Sequence, residues 1–121
     1  MKIVFISHPI SGDVNRNIAA VVAIVRDINI YEPGVVPFAP YLVDLQALDD
    51  EILEERSRGI KNNIELMRKV PISELRLYGS ALSHGMKAEV DLAIELGIQI
   101  LPMTEGATVE LAEYLKPSII V

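Results

Sequence analysis

Residues 74–101 of the chain read ELRLYGSALSHGMKAEVDLAIELGIQIL, and this stretch decides the fold. Its first part, Glu74 to Tyr78, is a short run rich in apolar and aromatic side chains, which predicts a β-strand. Ser83 to Leu96 has helical periodicity, and Gly97 is typical of a residue that ends a helix. Ile98 to Leu101 is a second apolar run. The order strand, helix, strand is the repeating unit of a parallel α/β sheet.

The same alternation extends in both directions from this unit. The remaining predicted strands are Lys2–Ile6, Gly34–Phe38 and Pro117–Val121, and the remaining predicted helices are Asp13–Asn29, Glu51–Lys69 and Thr104–Leu115. Tyr41 to Asp50 has no clear period and is interpreted as a loop that crosses the top of the sheet. We therefore predict an α/β protein with one domain over residues 1–121. It is expected to be a three-layer sandwich with a mostly parallel, four- to five-stranded sheet and helices on both faces, as in flavodoxin-like and Rossmann-like folds.

Length and hydropathy limit the class of protein. A chain of 121 residues is long enough to form one hydrophobic core. Its longest uninterrupted apolar stretch, Ile18 to Val25, is much shorter than the ~20 residues that span a bilayer. The amino-terminal apolar run ends at Ser7 and is interpreted as a first strand, not as a leader peptide. We expect a cytoplasmic protein with no membrane partner.

Charge and residue types limit the ligands. The formal net charge is −6, so a broad basic face for a nucleic-acid polymer is not expected and a small molecule is favoured. The chain has no cysteine, which excludes a disulfide framework and a thiolate nucleophile. Its two histidines are isolated and do not form a ligand cluster. Neither a metal nor a cofactor is predicted.

Two predicted helices carry unusual amounts of apolar surface. The first has an apolar stripe that neighbouring alanines extend nearly all round, which indicates burial on two sides, with a second subunit as one way to supply it. The second is amphipathic. The first stripe consists of Ile18, Val21, Val22, Val25 and Ile28, and the second of Leu53, Ile60, Ile64 and Met67.

Glu89 is the most informative polar residue of the third helix. Lys87, Asp91 and Glu95 are spaced by four and form a solvent-facing stripe. Glu89 is off that stripe, beside the face that packs on the sheet. It follows the carboxyl end of a parallel strand, where open α/β sheets bind ligands. Glu89 is therefore a candidate site residue, although a boundary carboxylate that simply reaches water would show the same pattern.

The helix also carries a motif, Ser83-x-Gly85-x-x-x-Glu89-x-x-x-Ala93-x-x-Leu96-Gly97. This motif resembles the signature of the nucleoside 2-deoxyribosyltransferase-like superfamily, which includes deoxynucleoside 5′-monophosphate N-glycosidases and uncharacterised bacterial and phage proteins. Residues 5–13 are similar to the first-strand loop of that family. The resemblance covers most of the chain, and residues 37–42, 48–50, 55–56, 59–60, 74–79 and 83–86 resemble a small uncharacterised subgroup. It also implies a site near a subunit interface, which predicts a homodimer or a larger homo-oligomer.

The resemblance implies that Glu89 is a nucleophile. Glu89 would attack the anomeric carbon of a nucleoside sugar, displace the base and form a glycosyl-enzyme intermediate that water or a second base resolves. A carboxylate suits this chemistry, because it stabilises an oxocarbenium-like transition state before it bonds. The backbone N–H groups after Ser83 and the helix dipole would favour the ionised form.

One position departs from the family pattern. The enzymes of this superfamily usually have an aspartate on the preceding helix that assists the leaving base. In this chain Asn62 or Asn63 lies near that position. We take Asn63 as the catalytic candidate, although asparagine has no titrating proton to donate. Either Asp49, Asp50 or Glu65 substitutes as the acid, or the chemistry is slower or different. Asp50 is the acid we favour.

Substrate contacts are expected from three loops. The candidates are Ser7, His8, Ser11 and Gly12 after the first strand, Asp49 above the sheet, and Ser83, Gly85 and Met86 at the start of the third helix. Each group has a structural alternative. Ser11 or Asp13 suits a helix N-cap, as does Ser83, and Asp49 with Asp50 suits a helix start. His8 and His84 flank the expected cleft but have no third residue that marks either as a base.

Three function hypotheses remain open from the sequence. The first is an enzyme that cleaves or transfers at the N-glycosidic bond of a nucleoside or nucleoside 5′-monophosphate, with phosphoribosyl or dinucleotide hydrolysis as its near alternative. The second is a nucleotide-binding or sensing module with little or no catalysis. The third is a structural oligomerisation protein, which only the apolar first helix supports.

Overall fold

Strands and helices alternate along residues 1–117, the part of the chain that the computed structural model describes. The strands are β1 (Lys2–Ser7), β2 (Val35–Phe38), β3 (Glu74–Leu77) and β4 (Gln99–Pro102). The helices are α1 (Val14–Tyr31), α2 (Tyr41–Ala47), α3 (Leu53–Lys69), α4 (His84–Leu96) and α5 (Glu105–Tyr114).

The four strands form one parallel sheet in the order β2-β1-β3-β4. Val4 of β1 pairs with Pro37 on one side and with Glu74 on the other. The chain thus adds β2 on one side of β1 and then β3 and β4 on the other side. The direction in which strands are added reverses between β1 and β3. In parallel α/β sheets this reversal opens a crevice at the carboxyl ends of the two strands.

Helices cover both faces of the sheet and define three layers. One core cluster joins the sheet to α1, through Val21 and Ile28. The other joins the opposite face to α3, α4 and α5, through Met67, Val90 and Leu111. The three-layer α/β sandwich with a parallel sheet is therefore confirmed. The fifth strand predicted over 117–121 falls almost wholly outside the described residues.

Helix ends follow the local sequence signals. The side chain of Asp13 accepts a hydrogen bond from the backbone N–H of Arg16 at 3.2 Å, and Ser83 accepts one from that of Met86 at 3.2 Å. Gly97 ends α4 in the left-handed conformation with φ 71°. Asp13, and not Ser11, is the N-cap of α1.

The prediction of a loop over Tyr41–Asp50 was wrong, because residues 41–47 form α2. Pro40 precedes the helix with right-handed helical backbone angles, and the N–H of Leu48 closes its last turn on Asp44. None of its residues is fully buried. A helix that buries no complete apolar stripe leaves a weak periodic signal in the sequence.

Buried charges also occupy the face of β3 that points toward the α1 layer. The guanidinium of Arg76 is almost fully buried and bonds Glu32 through two nitrogens, at 2.9 and 3.0 Å, and Glu74 at 3.1 Å. Lys2 also pairs with Glu74. Each buried charge therefore has an opposite partner, as burial requires. This cluster accounts for charged residues inside a buried strand.

The apolar surfaces of α1 and α3 are only partly covered. On α1, Val21 is buried while Val22 is 51% exposed. On α3 the stripe runs from the buried Met67 to Leu53, which is 73% exposed. Within residues 1–117, no helix combines the length and apolarity needed to cross a membrane.

Candidate functional site

A cleft of about 380 Å³ opens at the carboxyl ends of β1 and β3, where the strand order reverses. Its walls come from the loop after β1, from α2 and α3, and from the first turns of α4. Its size and position are those expected of a small-molecule site in an open α/β sheet.

Glu89 lies in the wall of this cleft, in the second turn of α4. The hydroxyl of Ser7, at the end of β1, donates a hydrogen bond to Oε1 of Glu89 at 2.7 Å. The amide of Asn63, on α3, donates to Oε2 at 2.9 Å. Two other elements, β1 and α3, therefore fix the two carboxylate oxygens of a residue on α4.

Burial and hydrogen bonding act on Glu89 in opposite directions. Removal of the carboxylate from water is the larger effect, and it raises the pKa of Glu89 from 4.5 to about 7. The hydrogen bonds from Ser7 and Asn63 lower the pKa and limit the rise. The ionised and protonated forms of Glu89 are thus close in free energy near neutral pH.

Tyr41 lies close to Glu89, but its hydroxyl forms a hydrogen bond with a different group. Its hydroxyl donates to the carbonyl oxygen of Ile6 at 2.5 Å. Burial, and secondarily the charge of Glu89, raise the pKa of Tyr41 well above its usual value. Tyr41 therefore stays protonated and ties α2 to β1 beside the cleft.

The amide of Asn63 has one unsatisfied atom. An ionised carboxylate can only accept hydrogen bonds, so Asn63 must turn its NH₂ group toward Glu89. Its Oδ1 is then left buried without a hydrogen-bond donor within residues 1–117. Asn63, and not Asn62, is the residue that faces Glu89, because the amide of Asn62 bonds Asp44 at 3.1 Å.

The structure brings most of the predicted site residues together. Those that line the cleft are His8, Ser11, Asp50, Asn63, Ser83, Gly85, Met86 and Glu89. His84, also considered from the sequence, lines it as well. Ser7 is completely buried beneath the cleft and acts on Glu89. Ser7 is therefore better described as a positioning residue than as a substrate contact.

Three of the residues considered lie away from the cleft lining. Gly12 is in the turn before α1, with φ 100°. The side chain of Asp49 accepts the backbone N–H of Glu51 at 2.9 Å, so it organises the start of α3. Glu65, one of the alternative acids, is exposed on α3.

Sequence reasoning missed the contribution of α2 to the site. Tyr41, Asp44, Leu45 and Leu48 all line the cleft. They are spaced by three, four and seven residues from Tyr41, which is one face of a helix. That spacing was the available signal, and the interpretation of the segment as a loop obscured it.

The charged groups of the lining are mainly acidic. Asp44, Asp50 and Glu55 line the cleft with Glu89, against one guanidinium, that of Arg56. Within residues 1–117, no three acidic or histidine side chains converge in an arrangement that would hold a metal ion.

The fold and the cleft define a three-layer α/β protein with a hydrogen-bonded glutamate at the switch point of its sheet. More particularly, the chain belongs to the family described as domain of unknown function (DUF7768), whose sequence profile matches residues 2–103. The match spans every residue of the cleft lining. No curated protein matches the chain.

Proposed function

We propose that the protein cleaves or transfers at the N-glycosidic bond of a nucleoside or nucleoside 5′-monophosphate, with Glu89 as the nucleophile. The observation that carries this proposal is the placement of Glu89. Its carboxylate lies in the wall of a cleft of about 380 Å³, held by Ser7 and Asn63. The resemblance of residues 83–97 to the nucleoside 2-deoxyribosyltransferase-like superfamily points to the same chemistry.

The reaction requires a carboxylate that is both fixed and ionised. In its ionised form, Glu89 attacks the anomeric carbon, the bond to the base breaks, and the base leaves with the bonding electron pair. Water or a second base then displaces the carboxylate from the sugar, and the proton that this acceptor loses balances the one that the departed base takes up. The hydrogen bonds from Ser7 and Asn63 favour the ionised form and restrict rotation of the side chain.

Removal of the carboxylate tests the proposal directly. We expect Glu89→Ala and Glu89→Gln to lower base release by at least about a thousandfold, because a covalent nucleophile has no substitute. Base release from a panel of ribonucleosides, 2′-deoxynucleosides, their 5′-monophosphates and a dinucleotide is measured by chromatography. This panel also separates the proposed reaction from phosphoribosyl or dinucleotide hydrolysis.

Glu95→Gln is the matched control, since Glu95 is an exposed residue of the same helix and pairs with Arg68 at 3.0 Å. We expect wild-type rates from it, with all variants showing the wild-type circular dichroism spectrum. Unchanged turnover in Glu89→Gln would exclude Glu89 as the nucleophile.

A second candidate function is a nucleotide-binding or sensing module with little catalysis. The observation in its favour is that neither Ser7 nor Asn63, the two groups bonded to Glu89, carries a proton that titrates near neutral pH. Binding of a nucleotide in calorimetry, with no base released over hours, would favour this module over the enzyme.

We also propose that the protein forms a homodimer through α3. The apolar stripe of α3 is buried only at Met67 and becomes progressively exposed toward Leu53, with Ile64 at 37% and Ile60 at 54%. Ile60 also lines the cleft. An apolar helix face that leaves its own core is the kind of surface that a second copy covers.

A further inference from the structure

The cleft that would receive the substrate carries more negative than positive charge. Apart from Glu89, three carboxylates line it, those of Asp44, Asp50 and Glu55. Within the described residues its lining includes one guanidinium, that of Arg56. These three negative charges and one positive charge leave an excess of two negative charges, before Glu89 ionises.

Neutral partners leave much of this negative charge uncompensated. Asp44 accepts a hydrogen bond from the amide of Asn62 at 3.1 Å, and Glu55 accepts one from a backbone N–H at 3.1 Å. Asp50 has a cationic neighbour, because its Oδ1 lies 3.9 Å from Nε of Arg56. The charges of Asp44 and Glu55 therefore act on whatever enters the cleft.

A further feature strengthens the effect of these charges. Leu45, Leu48 and Ile60 line the same cleft, and apolar walls weaken dielectric screening. The carboxylates outnumber the guanidinium and oppose the partial positive charge at the N-terminus of α4, which Ser83 and Gly85 bring into the lining. A phosphate therefore meets net repulsion from the side chains of the cleft, and a cation meets attraction.

We infer that the cleft selects an unphosphorylated N-glycoside whose base carries a fixed positive charge, such as the riboside of a pyridinium or of an N-alkylated purine. This inference rests on the proposed function and narrows it to one substrate class. It also excludes the 5′-monophosphates as preferred substrates.

The leaving-group chemistry of such a substrate fits the groups around Glu89. When the carboxylate of Glu89 bonds to the anomeric carbon, the bond from that carbon to the ring nitrogen breaks. Its electron pair goes to the nitrogen and neutralises the positive charge, so the base departs as a neutral molecule and needs no proton. Water then displaces the ester, restores the carboxylate and releases one proton. A site in which Asn63 replaces an acid is sufficient for this sequence.

The bound cation also assists the nucleophile. A positive charge close to Glu89 stabilises its ionised form, which opposes the effect of burial on the pKa. Substrate binding and ionisation of the nucleophile thus support each other. A neutral nucleoside does not stabilise the ionised carboxylate of Glu89, and a phosphate dianion destabilises it.

The test compares three related compounds: nicotinamide riboside, its 5′-monophosphate and the neutral nucleoside inosine. Binding is measured by calorimetry with Glu89→Ala, which prevents turnover, and base release is measured with the wild type. We expect the riboside to bind at least about tenfold more tightly than its 5′-monophosphate at low salt, with the difference reduced at high salt.

Charge removal at the cleft provides the second arm. Asp44→Asn, and independently Glu55→Gln, should weaken binding of nicotinamide riboside by roughly threefold to tenfold and leave inosine nearly unchanged. Asp27→Asn, an exposed position of α1, is the matched control and should change neither. Because two cleft variants are measured independently, misfolding of one still leaves the other as a test.

The outcomes separate the inference from the proposed function. Equal or tighter binding of the 5′-monophosphate, or the absence of binding by all three compounds, would overturn the inference. Selective binding of the riboside without base release by the wild type would support the charge selectivity and overturn the proposed enzyme. Selective binding with release of nicotinamide supports both.

Discussion

Burial of the Glu89 carboxylate in the cleft wall makes the stability of the folded protein depend on pH. Its folded-state pKa of about 7 exceeds the ordinary value of 4.5, because the carboxylate is buried. The native protein therefore binds more protons than the unfolded chain between these two values. The resulting stability is fully present below pH 4.5 and is lost as the pH rises toward and through 7.

We predict that Glu89→Gln is more stable than the wild type at pH 8 and loses most of this advantage at pH 5. A shift from 4.5 to about 7 corresponds to about 3 kcal/mol at high pH, an upper value since Gln also alters the bonds to Ser7 and Asn63. The free energy of unfolding in urea at the two pH values measures the effect. A constant difference between variant and wild type across this range would show that Glu89 titrates normally.

The sequence predicted the placement of Glu89 but not its partners. Glu89 lies off the stripe of Lys87 and Asp91, and that offset from a helical period could be read directly. Asn63 was chosen only through the resemblance, which also allowed Asn62. The choice between two adjacent residues depends on the rotation of α3 about its axis, which tertiary packing fixes.

At the scale of elements, the contact between α5 and the loop after β3 leaves no space at Gly106. A Cβ atom at Gly106 would lie 2.2 Å from the backbone oxygen of Ser80. Backbone cannot move aside as a flexible side chain can. The same loop packs closely on the loop after β1, where Gly79, with φ +88°, lies against Pro9. These close contacts join α5 and the loop after β1 to the loop after β3.

We predict that Gly106→Ala destabilises the protein by about 2 kcal/mol or more, because overpacking forces α5 away from the sheet. Gly59→Ala is the matched control, since Gly59 is also helical and its added Cβ would make ordinary contacts, the nearest at 3.7 Å. It should be neutral or stabilising by up to ~1 kcal/mol, as alanine favours a helix. Urea denaturation measures both, and similar stabilities for the two variants would contradict the tight contact.

Helix α2 shows where element prediction failed. Strand β3 and helix α4 bury several consecutive or periodic apolar residues, so their patterns are strong. Helix α2 has seven residues and buries none completely. Its position depends on contacts such as the hydrogen bond from Tyr41 to Ile6. A contact with a distant strand leaves no local pattern, although the spacing from Tyr41 to Leu48 did mark one face.

At the scale of the whole molecule, we predict a particle of twice the chain mass of 13.4 kDa at micromolar concentration. In the proposed dimer the apolar stripe of α3 forms the interface, so Leu53→Glu should produce monomers, because a charge in an apolar interface lacks a partner. Light scattering coupled to gel filtration measures the mass.

Val22→Glu on α1 is the control for this interface. Val22 is 51% exposed, so the change places a new charge on apolar surface of a different helix. We expect it to leave the dimer intact. A monomeric wild type would refute the dimer, and a dimer broken only by Val22→Glu would place the interface on α1.

The sequence by itself determined the order of the strands and of the helices other than α2, the helix ends at Ser83 and Gly97, and the displacement of Glu89 from the exposed face of its helix. These features depend on hydrogen bonds and side-chain periods within a few residues of chain. Only the tertiary structure decided that Ser7, 82 residues away, and Asn63, 26 residues away, meet on one carboxylate. Such convergence follows from strand order and helix packing, which are set by the burial of the whole core and by no single segment.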